Sequence, residues 1–254
     1  MMTKVVFIGA GPGDPELITL KGKRYLEQAD VVIYAGSLLN PEILKYAKSS
    51  AKLYDSAKMS LPEVLKVMVE AIKAGKAVTR VHDGDPSFYG AIQEQMDALD
   101  KEKIEYFRIP GVSCLQGGAG ALNRELTLPN ISQTVIITRP EGRTPVPEAE
   151  SICKLAQHQA TMVIFLGTPH IAKVVEDLQK GGYPKDTPVS VVYKATWPQQ
   201  KIVKGTLGDI VAKVKAANIT ETALIFVGKV MNPEAYDLSK LYDPKFTTGF
   251  RKGE

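Results

Sequence analysis

The chain has 254 residues, with 32 Lys and Arg against 28 Asp and Glu and a formal charge of +4. That length can hold one large or two modest domains, each burying its own core. The charge forms no basic block, so it is weak support for a nucleic-acid partner, and a mild positive excess suits a polyanionic small substrate equally well. Cys114 and Cys153 are isolated, and His82, His158 and His170 are scattered, so neither a disulfide framework nor a metal site is expected. The apolar run Val5 to Ile8 is too short for a signal-peptide core, and no later run approaches a membrane span. The chain therefore reads as a reduced, cytoplasmic protein without a membrane partner.

In chain order, Lys4 to Ile8 reads as a buried strand, followed by Gly9-Ala10-Gly11-Pro12-Gly13-Asp14-Pro15 and a helix from Thr19 to Gln28. Strand, glycine turn and helix open a βαβ unit. A dinucleotide fingerprint is opposed by Asp14, which stands where the third glycine belongs and would repel a pyrophosphate, and by Pro12, which removes a donor. A Walker-type loop is excluded because no Gly-Lys-Ser/Thr follows. The turn suits an organic, non-phosphate ligand; standing alone it reads equally as a tight turn.

Asp30 to Tyr34 is a second strand, Pro41 to Lys48 a short helix, and Leu61, Leu65, Met68 and Ile72 mark the core face of a helix that Gly75 ends. Ala77 to Val81 is a short buried strand, and from Gly90 onward Ile92, Met96 and Leu99 fall at helical spacing. Between them lies Val81-His82-Asp83-Gly84-Asp85-Pro86-Ser87-Phe88-Tyr89-Gly90, a turn at a strand's C-terminal end, where open α/β sheets place ligands. Asp83 and Asp85 flank a glycine that admits close backbone approach, and two short carboxylates there can accept from an amine or a hydroxyl. Taken alone, this stretch is also an Asp-Gly turn with Asp85 starting a helix. Ile104 to Ile109 is another strand, closed by Pro110-Gly111-Val112-Ser113-Cys114, with Ser113 as N-cap of a small-residue helix to Asn123.

From Ile131 the pattern restarts, so a domain boundary is expected at Leu128-Pro129-Asn130: a first domain over 1–130, a second over 131–232, and a tail over 233–254. The second domain reads as strand Thr134 to Thr138, helix Pro147 to Gln157, strand Thr161 to Leu166, and a helix bearing Ile171, Val174, Val175 and Leu178. Strands Val189 to Tyr193 and Lys201 to Gly205, a helix from Leu207 to Ala217 and strand Ala223 to Val230 complete it. The short Trp197 to Gln200 link suits a hairpin, so this sheet should be mixed. The tail has aromatic residues but no period and is expected to be partly disordered or laid on a neighbour.

Gly9-Ala10-Gly11-Pro12-Gly13-Asp14, Asp83-Gly84-Asp85-Pro86, Pro110-Gly111-Val112-Ser113 and Tyr193-Lys194-Ala195-Thr196-Trp197-Pro198, in this order, resemble the tetrapyrrole methylase family. The resemblance implies two α/β domains, a mostly parallel N-terminal sheet and a mixed C-terminal one, with an active-site cleft between them. It also implies a homodimer using S-adenosylmethionine and releasing S-adenosylhomocysteine. Arg139 to Glu148 and the run ending Gly90-Ala91-Ile92-Gln93-Glu94-Gln95 are similar to the branch that methylates carbon 11 of precorrin-4 or its cobalt form, in cobalamin biosynthesis. Pro140 and Cys114 depart from that pattern, where Ala and another small residue are expected.

By motif, the resemblance implies cofactor contacts at Pro12, Asp83, Gly84, Asp85, Phe88, Ser113, Cys114, Leu166, Ala195 and Thr196. It implies a substrate side at Gly11, Gly13, Asp14, Arg124, Arg139, Arg143 and Lys194, the basic residues meeting substrate carboxylates. A sulfonium carries an activated methyl group, so no protein nucleophile is required; Asp85, Tyr89 and Glu125 are candidates to accept the proton lost on methylation. The alternatives are another ring carbon, a related methylase acting on ribosomal RNA or on diphthine, and a non-catalytic S-adenosylmethionine-binding module.

Overall fold

The computed structural model describes residues 4–254. Contacts divide the chain into two units, the first running up to Gly118 and including Lys194–Gln200, the second comprising Ala119–Tyr193 and Lys201–Glu254. The division falls ahead of the Leu128-Pro129-Asn130 turn.

The first unit holds β1 (Val5–Gly9), α1 (Leu20–Gln28), β2 (Val31–Tyr34), β3 (Lys52–Asp55), α2 (Leu61–Lys73), β4 (Val78–His82), α3 (Gln93–Lys101) and β5 (Tyr106–Ile109). α4 (Cys114–Leu122) carries the chain across the boundary. The five strands lie in the order β3-β2-β4-β1-β5 and are all parallel. Parallel sheets need cover on both faces, and β1 is buried throughout. Val5 and Phe7 enter one core with Val64 and Met68 of α2 and Met96 and Leu99 of α3. Val6 and Ile8 enter the other with Leu26 of α1. Helix ends are set locally: Thr19 Oγ1 caps α1 by accepting from Gly22 N–H at 3.0 Å, and Ser60 and Glu63 form a capping box on α2.

This order fixes where a ligand can sit. The chain leaves β1 through α1 on one face toward β2, and leaves the neighbouring β4 through α3 on the other face toward β5. The crevice at the C-terminal ends of β1 and β4 is therefore a topological switch point.

The second unit holds β6 (Val135–Thr138), α5 (Ile152–Ala156), β7 (Thr161–Ile164), α6 (Ile171–Lys180), β8 (Pro188–Tyr193), β9 (Lys201–Thr206), α7 (Ile210–Ala216) and β10 (Ala223–Val227). Its order is β6-β7-β10-β8-β9, with β6 and β7 parallel and the other pairs antiparallel, so the expected hairpin and mixed sheet are present. Ile164, Val174, Leu178, Val191, Ile210 and Ile225 share its core.

Several expectations need correction. β3 was not expected, because Lys52-Leu53-Tyr54-Asp55 is an edge strand that leaves Lys52 and Leu53 exposed and has no buried run to reveal it. The short helix expected over Pro41 to Lys48 is a 3-10 helix that ends at Tyr46. The helix expected over Pro147 to Gln157 is broken at Ser151, whose extended backbone (ψ 145°) separates a 3-10 turn from α5. The last strand stops at Val227 because Gly228 takes φ 133°. In the tail, Lys240–Tyr242 forms a 3-10 turn, and Leu238, Tyr242 and Phe250 are exposed.

Candidate active site at the ends of the parallel strands

The loops after β1, β4 and β5 meet main chain to main chain. Ala10 N–H donates to His82 O at 2.8 Å, and Gly11 and Gly84 exchange hydrogen bonds, Gly84 N–H to Gly11 O at 2.8 Å and Gly11 N–H to Gly84 O at 3.3 Å. A Cβ on Gly9 or on Gly111 would run into the Gly84 carbonyl, so the three loops approach this closely only because glycine stands at all three places. Asp85 ties them: Oδ1 accepts from Ser87 N–H at 2.7 Å and Oδ2 from Gly111 N–H at 2.8 Å.

The fourth motif closes on the first. Thr196 Oγ1 accepts from Asp14 N–H at 2.9 Å, and Trp197 Nε1 donates to Pro12 O at 3.0 Å. The indole lies against Gly13, where any Cβ would strike it, and the Lys194 ammonium sits 5.0 Å from its ring centroid. From the other side, Asn40 Nδ2 donates to Gly13 O at 2.7 Å. The Asp14 carboxylate accepts from Glu16 N–H at 2.9 Å and caps the turn that follows. Sequence reasoning passed over Trp197 and Asn40 as individual positions; the Asn-Pro step after Leu39 was the one signal for Asn40, and it marks a turn rather than a long-range contact.

The same loops hold several residues in left-handed backbone conformations. Tyr89 (φ 56°), Ala91 (φ 47°), Lys194 (φ 46°) and Thr196 (φ 69°) are left-handed non-glycine residues, as is Leu166 (φ 54°) after β7. Each costs on the order of 1–3 kcal/mol and persists only where its surroundings over-determine it. Leu166 is also 56% exposed, a large apolar side chain held outward at a conformational cost.

The ionisable groups are sorted by burial. Burial raises the Asp83 carboxyl, opposed by its own backbone amide. Burial, then the Asp83 charge, pushes the Cys114 thiol up to about 12, so it is no thiolate nucleophile. Burial and then the Arg80 cation drive His82 down to about 3; the neutral ring stacks on Phe7, and its Nε2 is buried without a partner. Ser113 is buried and accepts from Leu115 N–H at 3.3 Å through Oγ.

Gly11, Pro12, Gly13, Asp14, Asp83, Gly84, Asp85, Phe88, Tyr89, Ser113, Cys114, Lys194, Ala195 and Thr196 all belong to the first unit. Arg124, Glu125, Arg139, Arg143 and Leu166 belong to the second. There, Arg124 Nε donates to Met231 O at 3.3 Å. The Arg139 guanidinium donates to the carbonyls of Pro140, Thr144 and Pro145 at 3.2, 3.3 and 2.8 Å, stapling its own loop, whereas Arg143 and Glu125 are exposed. Among the described residues no group of three or more His, Cys, Asp or Glu could hold a metal ion, and no helix is long and apolar enough to cross a membrane.

Comparison with known proteins gives the same reading. The family model for Tetrapyrrole (Corrin/Porphyrin) Methylases matches residues 4–211. A cobalt-precorrin-4 C(11)-methyltransferase of Methanocaldococcus jannaschii is 58% identical over 98% of this chain and 96% of its own length. A precorrin-4 C(11)-methyltransferase of Pseudomonas aeruginosa is 46% identical over 98% of this chain and 99% of its own. The X-ray structure of the cobalamin biosynthetic enzyme CbiF, a cobalt precorrin-4 methyltransferase, superposes with a TM-score of 0.89 at 45% identity, covering 91% of this chain and 97% of that one. A family model that matches most of the chain, with relatives 46–58% identical over nearly its whole length, makes the chain a member of the tetrapyrrole methylase family.

Proposed function

We propose that the chain transfers a methyl group from S-adenosylmethionine to carbon 11 of precorrin-4 or of its cobalt form, in cobalamin biosynthesis. The observation that carries this reading is the convergence of four motif loops at the β1/β4 switch point, where Gly11 pairs with Gly84, Asp85 reaches Gly111, and Thr196 and Trp197 hold Pro12 to Asp14. The donor set fits the methionine-bearing cofactor: a glycine floor admits it close to main chain, and a buried carboxyl at Asp83 can meet its amine. Pro12, Asp83, Gly84, Asp85, Phe88, Ser113, Cys114, Leu166, Ala195 and Thr196 would hold it. Once bound, it supplies an electrophilic methyl on sulfur, so no covalent enzyme intermediate is needed.

What remains for the protein is orientation and exclusion of water. Burial keeps His82 uncharged and the Cys114 thiol protonated, so neither adds a charge beneath the crevice floor. Because both Asp85 oxygens already accept main-chain hydrogen bonds, its first role is to hold the floor, and Tyr89 and Glu125 are the candidates left to receive the ring proton. Exposed Arg143 is the candidate for a substrate carboxylate, and Arg139 shapes the loop that presents it. We further propose a cytoplasmic homodimer, with tail residues such as Phe250 covered by the partner; a monomer mass by light scattering over a wide concentration range would refute the dimer.

The direct test supplies methyl-labelled cofactor with precorrin-4 and with cobalt-precorrin-4 and follows label into the ring. Label at carbon 11 is expected. Tight cofactor binding with no label in either product would leave a binding module, and label at another ring carbon would overturn the position.

A further inference from the structure

Arg80 is a cation in the wrong place for a stabilising role. It lies in the central strand β4, only 6% exposed, and burial lowers its guanidinium to about 10. Among the described residues no carboxylate pairs with it. Nε donates to Gln95 Oε1 at 3.2 Å, and Nη1 donates to the Ile33 and Val81 carbonyls at 3.3 and 3.4 Å. Burying a guanidinium against neutral oxygens alone is expensive, and a well-packed apolar pair of similar volume would serve the core better.

The contact that gives the pair a use lies beyond it. Gln95, on α3 and also buried, turns its amide outward and donates to Ala91 O at 2.8 Å. Ala91 ends Tyr89-Gly90-Ala91, a stretch with left-handed residues on both sides of a glycine that has no room for a Cβ beside the Pro86 carbonyl. A stretch so strained needs an anchor. The anchored loop carries Phe88 and Tyr89, both partly exposed, beside the Asp83-Gly84-Asp85 turn.

We propose that Arg80 and Gln95 are positioning residues: Arg80 fixes the Gln95 amide, and Gln95 holds Ala91, so that Phe88 and Tyr89 present one conformation to the bound cofactor and corrin. The assignment of Phe88 and Tyr89 to the ligand rests on the reading above; the anchoring of the loop does not. The sequence gives the pair no prominence, since an Arg in a strand and a Gln in a helix are ordinary until the fold sets them side by side.

The test uses Gln95→Glu, which keeps an acceptor for Arg80 and places a counter-charge beside it but has no donor for Ala91, and Gln95→Met, which loses both contacts and tolerates burial. Each is read by amide hydrogen exchange across the chain, by melting temperature, and by steady-state kinetics with precorrin-4 or cobalt-precorrin-4. The expected result for Gln95→Glu is exchange about tenfold faster confined to the peptide spanning Phe88 to Ile92, the loss of one hydrogen bond of roughly 1.4 kcal/mol; Gln95→Met should show the same local rise and a lower melting temperature, since Arg80 Nε also loses its acceptor. KM for the corrin should rise by a similar factor, and because Phe88 is among the proposed cofactor contacts and Tyr89 among the candidate proton acceptors, cofactor affinity and kcat should fall with it. Gln95→Glu should melt no lower than the parent. Unchanged exchange in that peptide, faster exchange throughout the first unit, or a parent-like KM would each overturn the inference. If the parent itself turns over neither corrin, the proposed activity fails and the exchange result alone decides the anchoring.

Discussion

Replacing Asp85 by Ala separates a residue that holds the site together from one that handles a proton. The carboxylate accepts from Ser87 N–H at 2.7 Å and Gly111 N–H at 2.8 Å, joining the β4 loop to the β5 loop. Hydrogen bonds to a charged group contribute about 1.5–3 kcal/mol each, and for a partly exposed side chain the lower end applies, so losing both costs about 3 kcal/mol. At roughly 2–4 °C per kcal/mol for a chain of this size, the melting temperature should fall by about 6–12 °C. Asp85→Asn, which keeps one acceptor, should lose about half as much. The control is Asp177→Ala on α6, a half-buried carboxylate whose i,i+4 ion pair with exposed Lys173 at 2.6 Å is worth about 0.3–0.5 kcal/mol. Thermal and urea unfolding give the stabilities, and calorimetry gives cofactor affinity, which should weaken for Asp85→Ala and not for Asp177→Ala. An Asp85→Ala protein that melts within about 1 °C of the parent yet has lost turnover would refute this reasoning and return the residue to the chemistry itself.

Two further outcomes are expected. Arg143→Lys should lower kcat/KM for the corrin by roughly thirtyfold, about 2 kcal/mol for one bidentate contact, at unchanged melting temperature, whereas Arg139→Lys should loosen the Pro140 to Pro145 loop and raise its amide exchange; the reverse pattern would exchange their roles. His82, with a folded pKa of about 3 against an ordinary 6.5, takes up a proton more readily when unfolded, so stability present above pH 6.5 should be lost as pH falls toward 3, at up to about 1.4 kcal/mol per pH unit. His82→Phe should flatten that part of the unfolding profile, and an unaltered acid limb would show that other groups govern it.

What could be read from the chain alone follows from where the signal is local. Val5 to Ile8 and Met162 to Ile164 are continuous apolar runs, and the stripe of Met68 on α2 has helical spacing, so both sheets and most helices were legible. Lys52 to Asp55 was not, since an edge strand that buries little carries no period, and neither was the break at Ser151, which depends on a single extended residue inside an otherwise helical composition. The site divides the same way. Its glycines and aspartates announced themselves because turns and close approaches require particular residues. Asn40, Trp197 and Gln95 act across 27, 185 and 4 positions, and at the two longer separations only the folded chain reveals the partner. Arg139 shows what a motif loop alone does not reveal: its guanidinium donates to three carbonyls of its own loop.

Trp197 is the single tryptophan of the chain, and it lies on Gly13 with a lysine ammonium over its ring. Its near-ultraviolet emission thus comes from one address, the junction of the first and fourth motifs, undiluted by any other indole. Light absorbed anywhere else by the ten tyrosines either stays there or funnels to this one emitter. A tetrapyrrole, whose near-ultraviolet absorption overlaps indole emission, would quench it by energy transfer on arrival, and an adenine nucleoside, transparent in that range, would act only through the polarity around the ring. The unlabelled protein therefore carries an optical gauge that distinguishes the arrival of its two reactants by the way the same signal is lost.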